Sequence, residues 1–260
     1  MALLPPVRPQ GHGLLEGKTV LVTAAAGTGI GFAAAERAID EGARVFISDL
    51  HEGRLKAAAD KLTAKSGKPT GFKLCNVTKE DDVRALVAAA IQDLGHVDVL
   101  INNAGLGGTY NVVDMTDEQW YGIIEVSLSS VFRMTRAILP HMTARKSGAI
   151  VNNASVLGWR AQAGQSAYAA AKAGVMAFTR CSAMEAASSG VRINAVAPSL
   201  AAHAFLNKVM PPGLMEELTK REAFGRAAEI WEVATVMIFL ASDYASYMTG
   251  EVLPVSNQHG

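Results

Sequence analysis

Three side chains in the second half of the chain have the chemistry of an acid/base site: Ser155, Tyr168 and Lys172. Tyr168 and Lys172 stand four residues apart inside AYAAAKAGVMAFTR, an alanine-rich run of high helical propensity. Positions i and i+4 share a helix face, so phenol and ammonium can point into one space. A nearby cation favours phenolate over phenol. Free tyrosine titrates near pH ~10, and moving it to about 7 takes roughly 4 kcal/mol of differential stabilisation. A tyrosine so shifted can exchange a proton with an alcohol near neutrality. Ser155 closes AIVNNAS, an apolar run that reads as a buried strand, and its hydroxyl is expected to face the same cleft. Alone, a Tyr-x-x-x-Lys pair is more often a surface contact; the context decides.

That context is an alternation of strands and helices. Residues 18–23 (KTVLVT) read as a buried parallel strand that runs into AAAGTGIG and then a helix pattern stopping at Gly42. Strand, glycine turn and helix together make a phosphate cradle from backbone N–H groups and the positive end of the helix dipole. The cradle falls on Gly27, Thr28, Gly29, Ile30 and Gly31. Residues 43–50 form the second strand, with Asp49 at its carboxyl end, 18 residues after Gly31. That is the spacing of a carboxylate that accepts ribose hydroxyls and repels a 2′-phosphate, so NAD(H) is favoured. His51 and Arg54 nearby leave NADP(H) open. Helices over 52–66, 79–94, 117–144 and 229–241, and strands over 71–77, 97–102, 191–197 and 251–255, complete the alternation. The expected fold is one doubly wound parallel α/β sheet of Rossmann type, about seven strands with helices on both faces.

Ser155 with the YxxxK pair, the glycine turn and the tetrapeptide NNAG at 102–105 resemble the short-chain dehydrogenases/reductases, over roughly residues 17–255. The resemblance implies hydride exchange between a nicotinamide cofactor and a secondary alcohol or its ketone. Ser155 would hold the substrate oxygen, Tyr168 would pass the proton, and Lys172 would lower the tyrosine pKa and bind the nicotinamide ribose. It also implies cofactor contacts from Asn76 and Val77 at the adenine, from Asn103, Ala104 and Gly105 along the cleft, and from Pro198. Several positions depart from the family pattern. The usual TGxxxGxG is here Thr23, Ala24 and one extra residue before Gly29, which suggests that the first turn glycine is displaced to Gly27. Asn76 stands for an aspartate, and Ser127 for the asparagine whose main-chain carbonyl helps hold a water linking the lysine to solvent. Ser199 and His203 replace a glycine and a threonine, and the VSNQHG ending replaces Asp-Gly-Gly. These departures keep a second reading alive, a nucleotide-binding or redox-sensing regulator without turnover.

The substrate side is read from the same resemblance, which is closest to actinobacterial 3-oxoacyl reductase-like members and dehydrogenases of steroid breakdown. A bulky apolar alicyclic alcohol or ketone, or an acyl-CoA, suits a methionine-rich lid at about 200–225 that includes Phe205 and Met210. Trp159 and Arg160 follow Ser155 closely enough to border the pocket, with packing or oligomer contacts the alternative.

The totals exclude other classes. Of 260 residues, 50% are hydrophobic and 18% charged, enough for a large core and against disorder. Lys+Arg and Asp+Glu balance at 24 each, so no basic excess recruits nucleic acid or a membrane surface. Cys75 and Cys181 have no metal-type spacing, so no metal site and no disulfide framework are expected, and the pair fits a reducing cytoplasm. No apolar run approaches the ~20 residues of a membrane span. The opening MALLPPVRPQGHG lacks a signal-peptide pattern and reads as an extended arm over 1–16, ahead of a single domain over 17–260. By resemblance the chain works as a homotetramer on a small-molecule substrate.

Overall fold

A computed structural model describes residues 3–202 and 213–257. Seven strands, all parallel, form one sheet in the order β3-β2-β1-β4-β5-β6-β9. They are β1 Thr19–Val22, β2 Arg44–Asp49, β3 Gly71–Leu74, β4 Val99–Asn102, β5 Gly148–Asn153, β6 Val191–Pro198 and β9 Val252–Val255. The helices are α1 Ile30–Asp40, α2 Glu52–Ser66, α3 Glu80–Leu94, α4 Asp117–Ile124, α5 Ser130–Arg145, α6 Ser166–Ala187, α7 Leu214–Arg221 and α8 Ile230–Ala241. Two-residue strands β7 (Ala201–Ala202) and β8 (Ala228–Glu229) pair beside the sheet. The expected Rossmann-type architecture and its strand number are both present.

The central strands are apolar because helices cover both faces, and successive side chains go to opposite sides. Val20, Val22, Val99, Ile101 and Val151 pack against α1, α2 and α8. Leu21, Leu100, Ile150 and Ile193 pack the other way, against α3, α5 and α6. Each buried aliphatic side chain contributes about 2 kcal/mol. Strand order reverses between β1 and β4, and there the carboxyl ends of the strands open a crevice.

One expectation needs correction. The helix read over 117–144 is interrupted: α4 passes through a π-helical turn, Glu125–Ser129, before α5 begins. The serines of SLSS compete for the ladder there, the Ser130 hydroxyl donating to the Val126 carbonyl at 2.6 Å. The arm carries no helix or strand over residues 3–13 and is latched onto α1. Arg8 pairs with Glu36 and Asp40 at 2.5 and 2.6 Å. Arg37 donates to the Pro9 and Gln10 carbonyls and pairs with buried Glu41, which accepts the N–H groups of His12 and Leu14. The Leu3 N–H reaches the Phe224 carbonyl at 2.9 Å. No described helix is long and apolar enough to cross a membrane.

Candidate active site

The crevice collects Ser155, Tyr168 and Lys172. Ser155 lies just past β5 and starts a 3-10 turn, Val156–Gly158, its hydroxyl accepting from the Leu157 N–H at 3.2 Å. Tyr168 and Lys172 occupy the first turns of α6, with the Ser155 hydroxyl near enough to the Tyr168 phenol to oppose the rise of its pKa. Lys172 is only 2% exposed, and its ammonium donates to the Asn153 carbonyl at 2.6 Å. The three residues singled out by spacing therefore share one site.

Their protonation differs from the sequence expectation. Burial pushes the Tyr168 phenol up to about 12, with the Ser155 hydrogen bond pulling the other way, and burial pushes Lys172 down to about 8. Desolvation outweighs the cation because the ammonium stands over the tyrosine ring, 5.4 Å from its centroid, and spends its hydrogen bond on a backbone carbonyl. In the protein as it stands, phenol and ammonium are both protonated at neutral pH.

The glycine turn holds two residues at positive φ, Ala24 at +51° and Gly27 at +148°, the second a conformation that side-chain-bearing residues rarely adopt. Alanine tolerates its left-handed position at some strain. Gly31 is needed for close packing: a Cβ there would lie 2.4 Å from Asn103 Nδ2 and 2.5 Å from the Ala24 oxygen. A Cβ at Gly27 or Gly29 meets nothing within 4 Å, and α1 starts at Gly29 without a side-chain cap. Thr28 and Ile30 flank that start. Open space in front of uncapped helix N–H groups fits a dinucleotide's phosphates. Asp49, at the end of β2, braces the turn: its carboxylate accepts the Ala26 and His51 N–H groups, each at 3.1 Å.

The remaining cofactor candidates ring the same crevice. Asn76 folds its carbonyl oxygen onto Thr78, at 3.0 Å from the N–H and 2.8 Å from the hydroxyl, and Val77 beside it is buried. Asn103 joins β4 to β1 by donating to the Thr23 and Ala24 carbonyls at 3.3 and 3.1 Å. The N–H groups of Asn103 and Ala104 donate to the Thr23 hydroxyl. Gly105 lies beside the lysine: a Cβ there would stand in ordinary contact, 3.5 Å from Lys172 Nζ. Pro198 ends β6 and is buried.

Ser127 lies fully buried in the π turn, but its hydroxyl is spent elsewhere. It accepts the Leu106 N–H and donates to the Leu106 carbonyl, both at 2.9 Å. It clamps the loop that follows NNAG.

Trp159 and Arg160 do not join the trio. They line a cavity of about 630 Å³ with Tyr110, Leu157, Gln162 and Ala173, and neither Ser155, Tyr168 nor Lys172 borders it. The physical reason is helical phase: Ala169, Ala170 and Ala173 turn to that cavity while Tyr168 and Lys172 turn to the crevice. Phe205, Met210 and His203 lie outside the described residues.

Sequence reasoning missed Asn153 and Asn152. The doubled asparagines at the ends of VLINN and IVNN were the available signal, because two polar residues closing apolar strands need partners. Asn102 donates to Asn152 Oδ1 at 2.9 Å, and Asn152 donates to Thr179 Oγ1 at 2.9 Å. Asn153 donates to Asn103 Oδ1 at 3.0 Å, and its own Oδ1 is buried without a partner, an acceptor left at the crevice.

With this geometry in place, the chain was compared with known proteins. A family model described as enoyl-(acyl carrier protein) reductase matches residues 24–257. The (5R,7aS)-5-hydroxy-7a-methyl-1-oxo-2,3,5,6,7,7a-hexahydro-1H-indene-carboxyl-CoA reductase of Mycobacterium tuberculosis is 59% identical over 255 residues, 98% of this chain and 97% of that protein. The 3-oxoacyl-[acyl-carrier-protein] reductase of Thermotoga maritima is 39% identical, covering 93% of this chain and 97% of its own. A crystal structure of a short chain dehydrogenase from Mycobacterium smegmatis superposes with a TM-score of 0.88 at 55% identity, covering 98% of both chains.

Proposed function

Since the chain belongs to the short-chain dehydrogenase/reductase family and is an oxidoreductase, we propose that it interconverts a secondary alcohol and a ketone on an alicyclic acyl-CoA. The observation that carries this reading is the buried Lys172 ammonium, held by the Asn153 carbonyl against the Tyr168 ring, with the Ser155 hydroxyl beside the phenol. Ser155 holds the substrate oxygen in place. Tyr168, protonated at neutral pH, gives its proton to that oxygen in reduction and takes it back in oxidation. Lys172 supplies the positive charge that limits the penalty of a transient phenolate. A nicotinamide dinucleotide, when bound, supplies or accepts the hydride. Its phosphates would lie at residues 27–31, its adenine near Asn76 and Val77, and its nicotinamide end along Asn103–Gly105, Pro198, Tyr168 and Lys172. Asp49 favours NAD(H) over NADP(H), because a carboxylate at that strand end repels a 2′-phosphate.

The substrate class rests on the 59% identical relative, whose name describes a fused two-ring system with an angular methyl and a CoA thioester. Fused rings of that kind occur in steroids, which agrees with the steroid-breakdown resemblance. The regulator reading has no support among the relatives named above, which are reductases. Self-association as a homotetramer is part of the proposal, supported by Tyr121 and Met184, apolar side chains exposed on α4 and α6. Light scattering on the eluting protein tests it, and a monomeric mass would reject it.

The decisive assay follows NADH and NADPH absorbance with hydrindane-type CoA ketones, 3-oxoacyl-CoA thioesters and simple ketones. Turnover of the bicyclic thioester well above the linear ones supports the reading. Turnover of linear thioesters alone would move the protein to fatty-acyl chemistry.

A further inference from the structure

The last backbone pairing between β4 and β5 joins Asn102 to Asn152. One residue further on the strands stop pairing through the backbone, and the connection continues through side chains, Asn153 Nδ2 donating to Asn103 Oδ1 at 3.0 Å. Asn103 in turn donates to the Thr23 and Ala24 carbonyls of the glycine turn. On its other side the Asn153 peptide is pinned to β6, because the Ala154 N–H donates to the Val196 carbonyl at 2.8 Å. The carbonyl of that doubly held peptide is the acceptor for Lys172 Nζ.

We propose that Asn153 is a positioning residue for Lys172: its side chain, through Asn103, fixes the carbonyl that holds the catalytic ammonium and ties it to the cofactor turn. The physical basis is that a carbonyl accepting from an ammonium favours the charged form, and it does so only while it points at the nitrogen. For a lysine this deeply buried, that acceptor opposes the loss of charge that desolvation drives. The groups packed around the ammonium are Gly105 of the β4 loop, Asn153 at the end of β5, and Tyr168 of its own helix. Tyr168 is the titratable one among them. The proposal rests on the dehydrogenase reading of the site for its catalytic consequence, and on the free protein for its test.

The test is Asn153→Leu, which keeps the branching at Cγ and removes the amide. Lysine labelled with ¹³C at Cε gives the Lys172 titration by NMR in the protein without cofactor, the signal being assigned by its loss in Lys172→Arg. The expected result is a midpoint about one pH unit below the parent's, with the other lysines unmoved. In turnover, kcat should fall about tenfold, the scale of a displaced catalytic group. The alkaline limb of kcat/KM should move down with the lysine. A Lys172 midpoint within about 0.3 unit of the parent in folded Asn153→Leu would overturn the proposal. Should that variant fail to fold, Asn103→Ala removes the partner instead and must give the same downward shift; an unshifted midpoint there is equally fatal. A shifted midpoint in a parent that turns over no ketone would sink the dehydrogenase reading and leave the positioning role standing. An active parent with an unmoved lysine would do the reverse.

Discussion

Lys172 stands against the face of the Tyr168 ring, its Nζ 5.4 Å from the ring centroid, while its proton goes to the Asn153 carbonyl. This arrangement keeps the phenol neutral and the amine charged at the pH where a reductase works. Tyr168→Phe removes the proton donor and leaves the packing. It should lower kcat by about 10²-fold or more, the usual scale of general acid/base catalysis, with NADH still bound. Activity within tenfold of the parent would exclude Tyr168 as the donor.

Lys172→Met should stabilise the free protein while abolishing turnover. The folded-state pKa is pushed down to about 8, below the ordinary 10.5. Between those values the unfolded chain holds a proton that the folded chain lacks, so stability rises with pH across that window. At neutral pH the buried ammonium is carried at a penalty on the order of 3 kcal/mol, partly offset by the Asn153 hydrogen bond. Removing it should raise Tm by a few degrees at pH 7 and flatten the rise between pH 8 and 10. Thermal melts of both proteins over pH 7–10 check this; a lower Tm for the variant at pH 7 would show the lysine to be a net support of the fold.

Ser127→Ala should act on stability more than on chemistry. The hydroxyl serves both backbone groups of Leu106, so its loss removes two part-buried hydrogen bonds, at about 1–2 kcal/mol. A hydroxyl so engaged has no proton left for a relay, and kcat should stay within about threefold. Denaturant melts and steady-state rates separate the two effects. Loss of rate with unchanged melting would return the hydroxyl to the relay.

Asp49→Ala should narrow the preference for NAD(H) over NADP(H) by roughly 1–3 kcal/mol, the scale of lost charged hydrogen bonds. The substitution also frees the Ala26 and His51 N–H groups, so NADPH affinity should rise in absolute terms. Fluorescence titration with both cofactors measures it. A parent that prefers NADPH would refute the reading of Asp49.

Much of this site was legible in the sequence because its signals are local. The i, i+4 spacing of Tyr168 and Lys172 and the serine closing an apolar run each depend on one element's geometry. So do the strand-turn-helix context of Gly29 and Gly31 and the sheet of parallel apolar strands. What was not legible depends on how elements meet. The direction of the tyrosine shift is decided by burial and by where the ammonium finds its acceptor, and both are set by β5 lying beside α6. The second positive-φ position, at Ala24, was not legible because the carbonyl there is held by Asn103, 79 residues away in sequence. Trp159 and Arg160 are close to Ser155 along the chain, yet the 3-10 turn carries them round to the other face of α6.

The arm gives the last prediction. Glu41 is fully buried and holds the His12 and Leu14 N–H groups at 2.8 and 3.0 Å, while pairing with Arg37, which in turn holds the Pro9 and Gln10 carbonyls. Burial alone would raise its carboxyl pKa, but those backbone hydrogen bonds and the guanidinium prevail and hold it below the usual value. A carboxylate with a depressed folded-state pKa contributes stability above its unfolded pKa, and that stability is lost as pH falls through the folded value. The latch should therefore be intact at neutral pH and weaken below about pH 4, where free glutamate takes up its proton. Glu41→Gln keeps the shape but leaves the Arg37 charge uncompensated in a buried site, which should lower stability by about 3 kcal/mol at pH 7 and much less at pH 2. Because the arm ends on the Phe224 carbonyl, hydrogen exchange at the Leu3, His12 and Leu14 amides should speed up together in the variant. Equal destabilisation at both pH values would mean that the carboxylate's charge is not what holds the arm.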